Sequence, residues 1–219
     1  MNKKDRLDIV YEDKDLLVVN KPAKLLTIST DNEKEKTLFH KAINYVKKKN
    51  QKIFIVHRLD KDTSGIVVFA KSESLKRLLQ DNWEKLAKVR EYVAIVEGKP
   101  EQESGIIKSY LKETKTLLVY SSNKKGDGKE AITHYRTIMN NKKYTMLAIT
   151  IDTGRKNQIR VHMKDLGCPI VGDKKYESKS NPINRMALHA NKLVLINPIT
   201  NKEMTFEVDV PNTFINLVK

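Results

Sequence analysis

The stretch Ile53-Phe54-Ile55-Val56-His57-Arg58-Leu59-Asp60-Lys61-Asp62-Thr63-Ser64-Gly65-Ile66-Val67-Val68-Phe69-Ala70 decides how this chain is read. Two apolar runs, 53–55 and 66–70, enclose ten mostly polar residues. Short apolar, β-branched runs bounded by polar residues are expected as buried strands. The ten residues between them include a His, an Arg, two Asp, a Thr, a Ser and a closing Gly. A loop suspended between two core strands is a rigid mount for chemistry.

Working outward from this loop, the N-terminal side reads as a hairpin and a helix. Residues 9–11 and 16–19 alternate with a turn-like Glu12-Asp13-Lys14-Asp15, and Lys21-Pro22 ends the second strand because proline lacks a backbone donor. Leu38, Phe39, Ala42, Ile43 and Val46 recur at helical spacing, with Thr37 as N-cap and Lys47-Lys48-Lys49 at the end that favours cations. Beyond the loop, Ser72 or Ser74 is expected to cap one further helix with an apolar face of Leu75, Leu78, Leu79, Trp83 and Leu86.

The rest is mostly strand. Residues 89–98 alternate, which places Arg90, Tyr92 and Ala94 on one face and Glu91, Val93 and Ile95 on the other. Strands are expected at 106–112, 116–121, 131–139 and 144–151, separated by Asn-, Gly- and Lys-rich turns. A short helix over 157–166 is closed by Gly167, and a last strand lies over 204–210 before an apolar end at 214–218. Strands in runs with a few helices imply an α+β fold, a largely antiparallel mixed sheet with flanking helices. No internal repeat or linker marks a boundary, so residues 1–219 are expected to form a single domain.

With 39% hydrophobic and 32% charged residues, the 219-residue chain has enough apolar matter for a core and is not disordered. Its formal charge of +15 points to a polyanionic partner. No apolar run is long enough to span a bilayer and the N-terminus carries no apolar signal core, so nucleic acid is favoured over a membrane. The single cysteine, Cys168, excludes an intramolecular disulfide and a cysteine zinc site, and fits a reducing cytoplasm.

Five segments then carry a resemblance. HRLDKDTSG at 57–65, REYVAIVEG at 90–98, TGRKNQIRVH at 153–162, PIVGDKKY at 169–176 and RMALHA at 185–190 occur in order. Together they resemble the RluA-type pseudouridine synthases, which isomerise uridine within RNA; short independent motifs rarely co-occur in order by chance. The resemblance implies a pseudouridine synthase catalytic fold, with Asp60 as the catalytic residue, Arg160 pairing with it and Tyr92 stacking on the target uracil. Leu188 would line the uracil pocket, and Arg58 would fill the space of a flipped base or hold its phosphate. His57, Thr63 and Arg155 are further substrate-binding candidates. The chain departs from the family at Asn157, where His is usual, and at Glu177, where Gly is usual. The S4-like domain many relatives carry at the N-terminus is not expected here. No metal, nucleotide or redox cofactor is implied, since nothing is oxidised and no external group is transferred. Ribosomal or transfer RNA is the expected partner, with no protein partner and a monomeric state.

Three other classes compete. Asp62-Thr63-Ser64-Gly65 and Asp152-Thr153-Gly154 each look like the loop of an aspartic protease. But Arg155, Lys156 and Arg160 next to Asp152 would resist the shared-proton state that a carboxylate dyad needs. A kinase catalytic loop is excluded because no Gly-rich loop precedes His57 and no D-F-G follows. A non-catalytic RNA-binding protein or assembly chaperone would keep the charge and lose the chemistry; Asp60, Tyr92 and Arg160 occurring together weigh against it.

Overall fold

A computed structural model describes residues 7–30 and 33–219. Two compact units form: Met1–Val89 with Ala190–Asp209, and Arg90–His189 with Val210–Lys219.

In the first unit, β1 (Ile9–Glu12) and β2 (Leu16–Lys21) make the expected antiparallel hairpin. Asp13 builds its turn: Oδ1 accepts the N–H groups of Asp15 and Leu16 at 2.8 and 2.6 Å. Helix α1 (Leu38–Lys47) starts where Thr37 accepts the His40 N–H at 3.1 Å and buries Leu38, Ala42 and Val46. Then come β3 (Phe54–Ile55) and β4 (Ser64–Ala70). All seven residues of β4 are buried. One neighbour is β2, with Lys21 opposite Gly65, and β3 pairs antiparallel with its last two residues. The loop between them therefore hangs from two paired strands, although β3 is shorter than the apolar run implied and only half-buried.

The single helix expected after β4 is interrupted. Helix α2 (Glu73–Asp81), capped by Ser72, ends at Asn82, and α3 (Trp83–Leu86) starts anew. Asn82 leaves helical geometry at φ −120°, and its Nδ2 donates to the Leu78 carbonyl at 3.1 Å, a local bond that competes with the helix ladder. Leu78, expected on the apolar face, is exposed.

The second unit holds most of β5 (Ala87–Glu97), with β6 (Ser104–Glu113), β7 (Val119–Ser122), β8 (Lys129–Asn140) and β9 (Tyr144–Ile151), all antiparallel in the order β5-β9-β8-β6-β7. Strand β7 begins three residues later than its apolar pattern suggests. Thr114 to Leu118 close a turn, with the Thr114 N–H on the Leu118 carbonyl and Leu117 at φ 61°. Helix α4 (Gln158–Asp165) and α5 (Asn212–Val218) pack Ile159, Met163, Phe214 and Val218 into a core with Val93, Ile95, Leu147 and Ile149.

Strand β10 (Leu188–Ile196) begins in the second unit and continues into the first. There it lies beside β4 and pairs with β11 (Glu203–Glu207), adding Leu193, Leu195 and Phe206 to a core with Leu16, Ile66 and Leu75. The approach to β4 is close: a Cβ on Gly65, at φ 117°, would lie 2.1 Å from the Ala190 carbonyl oxygen. Only glycine fits the exit of the polar loop. No helix among the described residues is long and apolar enough to cross a membrane.

Candidate active site

Asp60 sits half-buried in the 56–63 loop, where its carbonyl accepts the Thr63 N–H at 3.2 Å and closes a tight turn. Two residues outside the loop pin it. Thr27 Oγ1 donates to the Leu59 carbonyl at 2.7 Å and accepts the Leu59 N–H at 3.2 Å. Lys21, fully buried, donates its ammonium to the carbonyls of Lys61 at 3.1 Å, Leu25 at 2.7 Å and Pro22 at 3.0 Å. A buried ammonium is costly without such partners. The residues on either side of Asp60, Leu59 and Lys61, are thus clamped by the two pinning residues. Sequence reading assigned neither of them; the only hint was an ionisable residue at the end of a strand that opens with Leu16, Leu17, Val18 and Val19.

The other loop candidates divide by role. The His57 Nε2 accepts the Val68 N–H at 3.1 Å, and the ring stacks on Trp83 with centroids 4.5 Å apart. Trp83, half-buried, also packs against the core of the first unit. Thr63 is buried. Arg58 is exposed and makes no ion pair with Asp62 among the described residues.

In the second unit, the 153–162 segment is largely occupied in holding itself together. Gln158 Oε1 accepts from Thr153 Oγ1 and the Arg155 N–H, and its Nε2 donates to the Ile132 carbonyl and Thr133 Oγ1, all at 2.8–3.0 Å. His162 lies between Ser109 Oγ and Thr133 Oγ1 at 2.9 and 2.8 Å, and burial pushes its pKa down to about 4. It is a neutral structural pin. Two cations remain. Arg155 donates Nε to the Glu130 carbonyl at 2.9 Å. Arg160 donates Nε and Nη2 to the two oxygens of Asp173, each at 2.7 Å, and its guanidinium lies 4.8 Å from the centre of the Tyr176 ring. This bidentate pair is almost wholly buried, which makes the cation rigid.

The two departures from the family pattern acquire physical meanings. Asn157 stands at φ 55° at the head of α4, a left-handed conformation Asn tolerates better than most residues. Its Oδ1 accepts from Arg160 Nη1 at 3.0 Å and its Nδ2 donates to Tyr176 Oη at 3.1 Å. Glu177, at φ 71°, occupies a left-handed position that glycine adopts without strain. It closes a single turn of 3-10 helix, Lys174–Tyr176.

Tyr92 is half-buried in β5, and the buried Leu188 belongs to the core on which Tyr92 packs. Arg185 Nη2 donates to the Leu188 carbonyl at 3.3 Å. Asp152, one half of the protease-like pattern, bonds His134 Nε2 at 2.9 Å instead.

Comparison with known proteins decides the family. Residues 15–165 match the RNA pseudouridylate synthase family. The chain belongs to the RNA pseudouridylate synthases. It is 36% identical over 220 residues to an uncharacterized RNA pseudouridine synthase of Bacillus subtilis (strain 168), covering 97% of this chain and 72% of that protein. It is 37% identical over 233 residues to ribosomal large subunit pseudouridine synthase D of Buchnera aphidicola subsp. Acyrthosiphon pisum (strain APS), with the same two coverages. The structure of human RNA pseudouridylate synthase domain containing 1 superposes with a TM-score of 0.77 over 95% of this chain and 85% of that one, at 22% identity, and so bears on the fold. The RluA-type resemblance and the α+β pseudouridine synthase fold read from sequence both hold, and with them the activity of the family, isomerisation of uridine to pseudouridine in RNA.

Proposed function

We propose that residues 1–219 work as one catalytic domain in the cytoplasm, isomerising particular uridines of ribosomal or transfer RNA through Asp60. The observation that carries this reading is the half-buried Asp60 turn, clamped on both sides by Thr27 and Lys21. Such preorganisation suits a group that must meet a sugar carbon at a fixed distance.

Asp60 would either attack the anomeric carbon or remove the proton at carbon 2′. Either route frees uracil from its nitrogen 1 bond, so that it turns and rejoins through carbon 5. Arg160 would orient the carboxylate; Asp173 and Asn157 keep the guanidinium rigid for that role. Tyr92 would stack on the base and help take the proton from carbon 5, and Leu188 would form an apolar wall. A base within a stacked helix cannot reach such a site, so the target must be flipped out. Arg58, exposed beside Asp60, is suited to the vacated space or its phosphate. His57, Thr63 and Arg155 complete the set, His57 and Thr63 by shaping the loop. The protein acts as a monomer without a protein partner or cofactor.

The test is to map pseudouridine by carbodiimide adducts and primer extension in RNA from cells with and without the gene. At least one ribosomal or transfer RNA stop should vanish in its absence and return on adding the protein. Identical stops in both RNA classes would refute this substrate assignment.

A further inference from the structure

The second unit contains a cavity of about 420 Å³ whose lining is cationic. Lys112, Lys129, Arg155 and Lys156 meet there with one carboxylate, Glu113. Its size is within the range of about 300–1,000 Å³ usual for ligand sites. Leu111 and Val119, both buried, form the apolar part of the wall.

The backbone is built to make this place. Gly128, at φ 127°, precedes Lys129, and a Cβ there would lie 2.5 Å from the Leu111 carbonyl oxygen. Glycine alone lets the start of β8 approach β6 so closely. Lys129 then pairs with Leu111 across the ladder. Opposite, the Gly154-Arg155-Lys156 turn is held by Gln158, and Arg155 is fixed through Nε on the Glu130 carbonyl.

The charges do not cancel. Lys112 pairs with Asp127 at 2.8 Å and Lys156 with Glu113, while Lys129 has no ion-pair partner among the described residues. Four cations and one carboxylate line the cavity, and Lys124 and Lys125 stand in the loop that leads to Gly128. Exposed pairs of this kind contribute only about 0–1 kcal/mol, so an incoming anion can share their lysines. Lysines are flexible point charges without bidentate geometry, which suits following a phosphate backbone better than reading a base.

We propose that this cavity seats a phosphodiester segment of the RNA substrate, with Lys129, Arg155 and Lys156 meeting its phosphates. This rests on RNA being the substrate and makes the β6–β8 region a docking element.

The test compares Lys129→Gln/Lys156→Gln with a control of equal charge loss, Lys76→Gln/Lys202→Gln, both in the full chain. Filter binding to unmodified ribosomal and transfer RNA is measured across a salt series, alongside kcat and KM for isomerisation. Loss of two phosphate contacts should raise Kd and KM about tenfold and reduce the salt slope of log K by about 1.4, with kcat unchanged. Lys129→Arg/Lys156→Arg should restore both. A pocket variant that matches the control in Kd and slope overturns the proposal. Should the wild type isomerise nothing, the binding arm still decides the matter, so failure of the site and failure of the enzymatic reading are told apart.

Discussion

The buried ammonium of Lys21 donates to the carbonyl of Lys61, 3.1 Å away, and Lys61 is the residue that follows Asp60. Two further carbonyls, of Pro22 and Leu25, share the same ammonium. Lys21→Met keeps the bulk and strands three part-buried acceptors. Destabilisation of about 2–4 kcal/mol is expected by urea unfolding, since an orphaned buried group costs about 1–3 kcal/mol and the partial exposure of these carbonyls recovers part of the sum. At a temperature where the variant is still folded, kcat should fall more than RNA affinity. Equal stability and activity would show that the loop does not depend on this clamp.

Glu177 holds a left-handed backbone without the freedom of glycine. That conformation costs an ordinary residue about 1–2 kcal/mol, while glycine brings back about 0.5–1 kcal/mol of unfolded-state entropy. The ion pair to Lys164 is long, at 3.6 Å, and exposed. Glu177→Gly should therefore stabilise the protein by up to about 1 kcal/mol, read as a small rise in the urea midpoint. Asn157→Ala should do the opposite, by about 2 kcal/mol or more, since it adds strain and removes bonds to Arg160 and Tyr176. A loss of stability in Glu177→Gly would contradict this reading.

His162 gives a pH signature. Burial lowers its pKa to about 4 in the fold from an ordinary 6.5. The unfolded chain thus binds more protons between these values, and stability is complete above pH 6.5 and lost as pH falls through about 4. The loss is of the order of 3 kcal/mol, from about 1.4 kcal/mol per pKa unit. Glu12 adds a second, more acidic loss. Burial works to raise its pKa, but hydrogen bonds from Lys71, Tyr45 and Lys49 outweigh burial and hold it near 2, so its contribution fades below pH 4.5. Unfolding free energies measured from pH 7 to 4 should slope downward in the wild type and flatten in His162→Gln. Parallel slopes would assign the loss to other groups.

Much of this architecture was legible because apolar periodicity reports burial directly. Residues 53–55 and 66–70 bracket the Asp60 loop as β3 and β4 do, and Thr37 caps α1 as its position implied. What escaped reading depends on single polar atoms. Asn82 breaks a helix whose apolar stripe continues through it, because the stripe does not register a side chain bonding its own backbone. Lys21 has the chemistry of a surface residue, and three of the carbonyls that receive its buried ammonium come together through folding. Arg160 was legible as a motif position, yet its bidentate bond to Asp173 joins residues thirteen apart through tertiary structure.

The most direct measurement uses cellular RNA from a strain lacking the gene, labelled with tritium at carbon 5 of uridine. Isomerisation exchanges that hydrogen, so tritium passes to water. The wild-type protein should release it, and Asp60→Asn, which keeps the shape of the loop and removes the carboxylate, should release none above background while binding RNA as before. Release by Asp60→Asn at the wild-type rate would contradict the central role of Asp60. No release by the wild type on ribosomal or transfer RNA, with salt-sensitive binding intact, would point instead to a protein that binds RNA without modifying it.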